Sequence, residues 1–131
     1  MIKVAVAVVF DDKQRILITR RAEHISHGGF WEFPGGKLEA DELADAALIR
    51  EIKEEVGVDV LEYSFLGDLN HDYGTKTVNL LVFAVSKHQG EAYRRELQSD
   101  LRWVAVEELE QYQFPEANQK IIEMVKGYCN G

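Results

Sequence analysis

The sequence has one cysteine, Cys129, in 131 residues. A lone thiol cannot close an internal disulfide, so the fold must rest on packing. A free thiol suits a reducing compartment, and the chain reads as a cytoplasmic protein. Proline is nearly as scarce, with two residues. No Pro/Gly/Ser-rich linker, internal repeat or low-complexity segment divides the chain. No apolar run reaches membrane-spanning length, which leaves no membrane partner to expect. The longest run, around Ile2–Phe10, contains Lys3 and stops at Asp11-Asp12. It lacks the small-residue cleavage site of a signal peptide and reads as a strand. Positive charge is in deficit: 15 Lys and Arg stand against 23 Asp and Glu, a formal net charge of -8. Polyanion binding is driven by basic side chains that neutralise phosphates, so the balance argues against a nucleic-acid polymer. A single nucleotide stays open, because bound cations can supply the missing positive charge.

What is present is enough apolar surface for a core, at 46% of residues. A chain of this length fits one domain over residues 1–131. Ile2–Phe10 and Arg15–Arg20 read as strands around the turn Asp11–Gln14. Ala22–Phe30 is a polar loop, Trp31–Phe33 a short strand, and Pro34-Gly35-Gly36 a strong break. Glu42–Val56 reads as a helix, with Asp41 as N-cap and Gly57 ending it in a left-handed conformation. Val58–Leu69 and Thr77–Ser86 are β-rich around a turn near Asp72–Gly74. Gly90–Gln98 is a charged loop, Leu101–Val106 a strand, and Pro115 opens a last helix through about Lys126. Strands and helices mix without βαβ regularity, which predicts a mixed sheet flanked by helices.

The chemistry concentrates between Gly36 and Val58, read GKLEADELADAALIREIKEEVGV. Helical residues three and four apart share a face. Glu51, Glu54 and Glu55 therefore fall within an arc of about 100°. Leu48, Ile49, Ile52 and Val56 fall on a neighbouring arc of about 100°. One side of the helix can enter a core while its carboxylates face a cleft beside it. Three close carboxylates repel, and a divalent cation relieves that repulsion. Carboxylate oxygens are the ligands that Mg²⁺ prefers, and Mg²⁺ binds substrate phosphates as well. A bound metal acidifies its water, shields phosphate charge and orients a leaving group. Arg50 lies four before Glu54, the spacing of an ion pair. Glu42 lies near the opposite side of the helix from Glu51, where it can serve the positive helix N-terminus. Lys37 follows the double glycine; it can reach a phosphate or be an ordinary surface lysine. His24, His27, His71 and His88 show no zinc spacing, and Trp31 and Trp103 suit the core or its edge. No Ser/His/Asp or Cys/His arrangement implies a covalent intermediate.

The segment has Gly36, five residues, Glu42, seven residues, Arg50-Glu51-Ile52, one residue, Glu54-Glu55, one residue, and Gly57-Val58. That string resembles the Nudix box at every defined position. Outside it, ITRRA at Ile18–Ala22, GGFWEFPGGK at Gly28–Lys37 and FPEAN at Phe114–Asn118 resemble the MutT branch of that family. The resemblance implies an α/β/α sandwich, with a mixed sheet between helices and the box as loop–helix–loop. It implies Mg²⁺-dependent hydrolysis, Mn²⁺ being a substitute, of a nucleoside triphosphate to monophosphate and pyrophosphate. The substrate it points to is 8-oxo-dGTP, cleared from the nucleotide pool before a polymerase uses it. CTP or other nucleoside triphosphates are the nearer alternative, and a non-catalytic nucleotide-sensing module the farther one. The metal ligands implied are Glu51, Glu54, Glu55, the carbonyl of Gly35 and a later-loop glutamate, Glu96 in YRREL or its rival Glu91. Glu51 is the expected general base, with Glu54 next. Gly36, Glu42, Arg50 and Gly57 are structural in the motif, and Arg50 orients a carboxylate. Arg21, Phe33 and Asn118 would line a base pocket, where an asparagine amide can donate and accept. A small nucleotide is then the partner, and the protein is expected to be a monomer.

Overall fold

The computed structural model describes residues 1–24, 28–94 and 98–130. Its central strand is β1 (Ile2–Val9), which carries no polar side chain after Lys3. A strand apolar on both faces must have both faces covered. β1 pairs in parallel with β6 (Thr77–Gln89) and antiparallel with β4 (Gly35–Lys37). β6 also pairs antiparallel with β5 (Asp59–Asp72), which completes a mixed sheet in the order β4-β1-β6-β5. A second sheet is antiparallel, with β2 (Ile16–Arg21) between β3 (Trp31–Glu32) and β7 (Gln98–Val104). The strands thus divide between two sheets, because β2 leaves β1 through a tight turn and pairs elsewhere. Asp11 closes that turn, its carboxylate accepting from the backbone of Lys13 and Arg15 and from the Arg15 guanidinium.

Helices α1 (Ala44–Val56) and α2 (Glu116–Asn130) complete the layers. Ala5, Ala7, Val9, Phe83 and Val85 on one face of the mixed sheet meet Leu48, Ile52 and Val56 of α1. Val6, Val8, Val82 and Ala84 on the other face join the cluster of Ile121, Ile122 and Val125 of α2. The alternation along β1 and β6 is the period of two that a strand imposes. The architecture is therefore α/β, a mixed sheet flanked by helices. No helix among the described residues is long and apolar enough to cross a membrane.

Three expectations for α1 need correction. The helix begins at Ala44 after an N-cap at Leu43, not after Asp41. Asp41 has φ 64°, inside a turn where the Glu42 N–H donates to the Glu39 carbonyl. That turn reverses the chain before the first helical bond, Ala47 N–H to Leu43 carbonyl, can form. Glu42 is consequently outside the helix and does not serve its dipole; Asp45 occupies the first turn. Ile49 is 41% exposed, and Ala47 takes the expected place in the core. The buried stripe is Ala47, Leu48, Ile52 and Val56, and Ile49 lies beyond its edge. Gly57 does end the helix, at φ 75°. A Cβ there would strain the backbone and meet the Tyr93 ring.

Other boundaries moved less. Pro115 stands just ahead of α2, its carbonyl accepting from Asn118 N–H. A 3₁₀ turn at Val106–Gln111 precedes it, and β7 starts at Gln98 inside the expected loop. Pro34-Gly35-Gly36 is where β4 forms. A Cβ at Gly35 would overlap the Ala5 carbonyl, so only glycine lets the strand lie this close to β1.

Candidate active site

β4 is an edge strand, and its free edge faces α1. The bonds Ala7 N–H to Pro34 carbonyl and Leu38 N–H to Lys3 carbonyl mark the residues of β4 and its ends that bond to β1. In an antiparallel ladder the alternate residues, Gly35 and Lys37, direct both backbone groups away. Side chains of α1 meet them there. Gly35 N–H donates to Glu55 Oε2 at 3.1 Å, and Arg50 Nη2 donates to the Lys37 carbonyl at 3.1 Å. The Gly35 carbonyl shares the direction of its own N–H, toward the same carboxylates. Gly36 lies under Glu51, and a Cβ at Gly36 would overlap that carboxylate.

Arg50 organises the acids. Its Nε donates to Glu42 at 2.8 Å and lies 3.1 Å from Glu39. Its Nη1 reaches Glu51 at 2.7 Å and Glu54 at 3.2 Å, and its Nη2 returns to Glu42 at 2.9 Å. The guanidinium holds the Glu42 carboxyl down at about 2, assisted by the Glu39 N–H. Donating to Glu42 and Glu51 in turn raises the Arg50 guanidinium further. Glu55 is handled separately. It is 9% exposed, the one buried carboxylate among the described residues.

Glu51, Glu55, Gly35, Gly36 and Lys37 line a cleft of about 570 Å³. Arg21, Phe33 and Asn118 line the same cleft. Phe33 is buried and stacks on Phe114 at 5.3 Å, so it is both core and wall. Asn118 is half-buried, and its side-chain amide makes no hydrogen bond to another described residue. Arg21 pairs with Glu32 at 3.3 Å. Glu54 is not among the lining residues; its side chain is 53% exposed beside Arg50. Glu91 lies elsewhere, with Asp11, His88 and Trp103 around a second cleft that shares no residue with the first. Glu96 and His27 lie outside the described residues. His24 is exposed, His71 packs against Tyr73, and His88 stacks on Trp103.

Beyond the apolar wall, three lining residues escaped sequence reasoning: Glu32, Tyr73 and Lys76. Tyr73 and Lys76 stand on the β5–β6 turn, closed by Tyr73 N–H to the Lys76 carbonyl. Burial and the nearby Glu32 carboxylate raise the Tyr73 phenol above its usual range. Only the presence of the turn, not its direction, was readable. Glu32 sits beside Phe33 in the quoted GGFWEFPGGK segment, which was the available signal.

The donor set suits a hard cation: two cleft carboxylates, an outward backbone carbonyl and a glycine that leaves room. As the side chains stand, no three acidic, histidine or cysteine groups among the described residues converge as a cage. Arg50 draws Glu51 and Glu54 toward itself, so the carboxylates must turn for a cation to be held.

A family model described as NUDIX domain matches residues 5–124. An 8-oxo-dGTP diphosphatase of Escherichia coli K12 is 31% identical, over 95% of this chain and 96% of that one. A CTP pyrophosphohydrolase of the same organism is 31% identical, over 94% of this chain and 90% of that one. Among solved structures, one from a study of MutT from Aliivibrio salmonicida and Vibrio cholerae superposes with a TM-score of 0.84. It is 36% identical and covers 95% of each chain.

Proposed function

The chain belongs to the Nudix family and is a hydrolase, and we propose that it hydrolyses 8-oxo-dGTP to 8-oxo-dGMP and pyrophosphate. The carrying observation is the single cleft that joins Glu51, Glu55 and the Gly35–Lys37 strand to Phe33, Arg21 and Asn118. One end is equipped for a charged phosphate chain and the other for a flat, polar-edged base. The role that follows is sanitation of the nucleotide pool, in a single domain acting as a monomer.

Glu51, Glu54, Glu55 and the Gly35 carbonyl would hold Mg²⁺, with Glu96 as the later-loop ligand. A bound Mg²⁺ supplies charge shielding, a more acidic water and an oriented leaving group. Glu51 acts as general base: it lies on the cleft, and the Arg50 Nη1 hydrogen bond orients its carboxylate. Glu54 lies outside the cleft lining, which favours Glu51 over it. Lys37 meets the phosphate chain from β4. Phe33 stacks on the base, and the Asn118 amide reads the edge where oxidation turns an acceptor nitrogen into a donor. Water attacks the β-phosphorus and yields its proton to Glu51, and the nucleoside monophosphate leaves. Catalysis is positioning and charge neutralisation, as in other phosphoryl transfers.

A nucleotide panel with Mg²⁺ tests this reading, comparing kcat/KM for 8-oxo-dGTP, dGTP and CTP. The CTP pyrophosphohydrolase relative supports CTP as the second reading. A CTP preference would overturn the first. Hydrolysis in ¹⁸O-water should label pyrophosphate; label in the monophosphate would mean attack at the α-phosphorus.

A further inference from the structure

The last four carbonyls of a helix have no partner within it. Two of those of α1 are met by other parts of the fold. Tyr93 N–H donates to the Val56 carbonyl at 3.0 Å, and Gln98 Nε2 donates to the Glu55 carbonyl at 3.2 Å. Glu55 is therefore tied at two points, its backbone by Gln98 and its carboxylate by Gly35 N–H. Gln98 opens β7 and pairs in register with Arg21 of β2. The ladder shifts register between Arg20 and Arg21, so the strand bends at this point. Arg21 lines the cleft. One side chain thus links the sheet bearing Arg21 to the helical turn bearing Glu54 and Glu55.

We propose that Gln98 is a positioning residue for the carboxylate end of the cleft, acting through Glu55. The inference rests on the reading of Glu55 as a metal ligand. Without the Gln98 amide the final turn of α1 loses the tie that fixes its distance from the second sheet. Glu55 then meets Gly35 and Glu51 less often in one geometry. Partners that orient a ligand typically contribute about 10- to 100-fold to metal affinity.

The test is Mn²⁺ binding to the nucleotide-free protein, read by electron paramagnetic resonance. Wild type is compared with Gln98→Met, Glu55→Gln and the double variant. Methionine keeps the length and loses the donor. Gln98→Met should weaken Mn²⁺ binding about 10-fold, with a melting temperature close to wild type. In the Glu55→Gln background the same change should cost nothing further, because coupled residues are not additive. Should Gln98→Met fail to fold, Gln98→Ala is read the same way. Wild-type binding by Gln98→Met, with or without a lower melting temperature, overturns the proposal while leaving the ligand reading intact. An equal loss in the Glu55→Gln background also overturns it. Unchanged binding by Glu55→Gln overturns the ligand reading and this inference together.

Discussion

Gly35 and Gly36 are neighbours in β4, and alanine at each should fail in a different way. Neither glycine has a positive φ, so the backbone accepts alanine and only the new methyl group matters. At Gly36 that methyl overlaps the Glu51 carboxylate, the far end of a flexible side chain. Glu51 can swing aside at the cost of an off-rotamer torsion, about 0.5–1.5 kcal/mol. Replacing glycine by alanine in a compatible backbone returns about 0.4–1 kcal/mol by restricting the unfolded chain. The two nearly cancel, so Gly36→Ala should melt within a few degrees of wild type. Glu51, however, must move by about an ångström, and misplacement on that scale costs roughly 10²-fold in rate. At Gly35 the methyl overlaps the Ala5 carbonyl and crowds Val6 Cα, and no rotamer relieves a backbone clash. β4 must part from β1, at about 1–3 kcal/mol or more. The assay pairs thermal melts with kcat at saturating Mg²⁺ and nucleotide. Full kcat in Gly36→Ala would refute the role given to Glu51, and wild-type stability in Gly35→Ala would refute the packing argument.

Asn118→Ala should lower kcat/KM for 8-oxo-dGTP by roughly 10- to 10³-fold more than for dGTP, about 1.4–4 kcal/mol. Equal losses for both nucleotides would remove Asn118 from base recognition. Glu42, held at about 2 against an ordinary 4.5, stabilises the fold fully above 4.5, and that stability is lost as pH falls toward 2. Glu42→Gln should therefore show a shallower fall in urea midpoint over that range; an identical slope would mean the ion pair does not couple to folding. Excess chelator should abolish turnover, and Mg²⁺ or Mn²⁺ should restore it; full turnover in EDTA would end the metal mechanism. Ile52→Ala removes a fully buried side chain under α1 and should cost about 2–5 kcal/mol in denaturant unfolding. A cost below about 1 kcal/mol would mean that α1 is not held by this contact.

The helix of the box was legible because its pattern is local. Leu48, Ile52 and Val56 repeat at four-residue spacing, and Gly57 supplies a left-handed end that other residues resist. The start of α1 was not legible, because Glu39 and Glu42 close a turn whose strength comes from Arg50, eight residues beyond Glu42. Gly35-Gly36 looked like a break for a related reason. Glycine signals freedom in a sequence, but here it permits close approach to Ala5 and Glu51, which lie on other elements. The separation of Glu55 from Glu54 was equally hidden. Both sit on the expected arc, yet one is buried against β4 and the other faces Arg50. Tyr73 and Lys76 stand on the turn beyond β5, which runs to Asp72, past its expected end at Leu69.

The Arg50 network sets the charge balance around Glu51 and Glu54. A guanidinium offers five N–H donors. Here they are spread over Glu39, Glu42, Glu51, Glu54 and the Lys37 carbonyl. One positive charge thus faces four carboxylates, and the Glu55 carboxylate accepts from the Gly35 N–H beside them. Glu42 and Arg50 form the best-satisfied pair, fixed at both guanidinium edges. Glu51 and Glu54 share the remaining nitrogen, so each is held by one oxygen and can turn without unfolding the turn at Glu39–Glu42. The arrangement makes Glu42 the anchor of Arg50 and leaves Glu51 and Glu54 as a looser pair held close to it. A triphosphate entering such a place would meet net negative charge. In the proposed reaction cations would enter with the nucleotide, and the looser carboxylates are the ones that can turn to receive them.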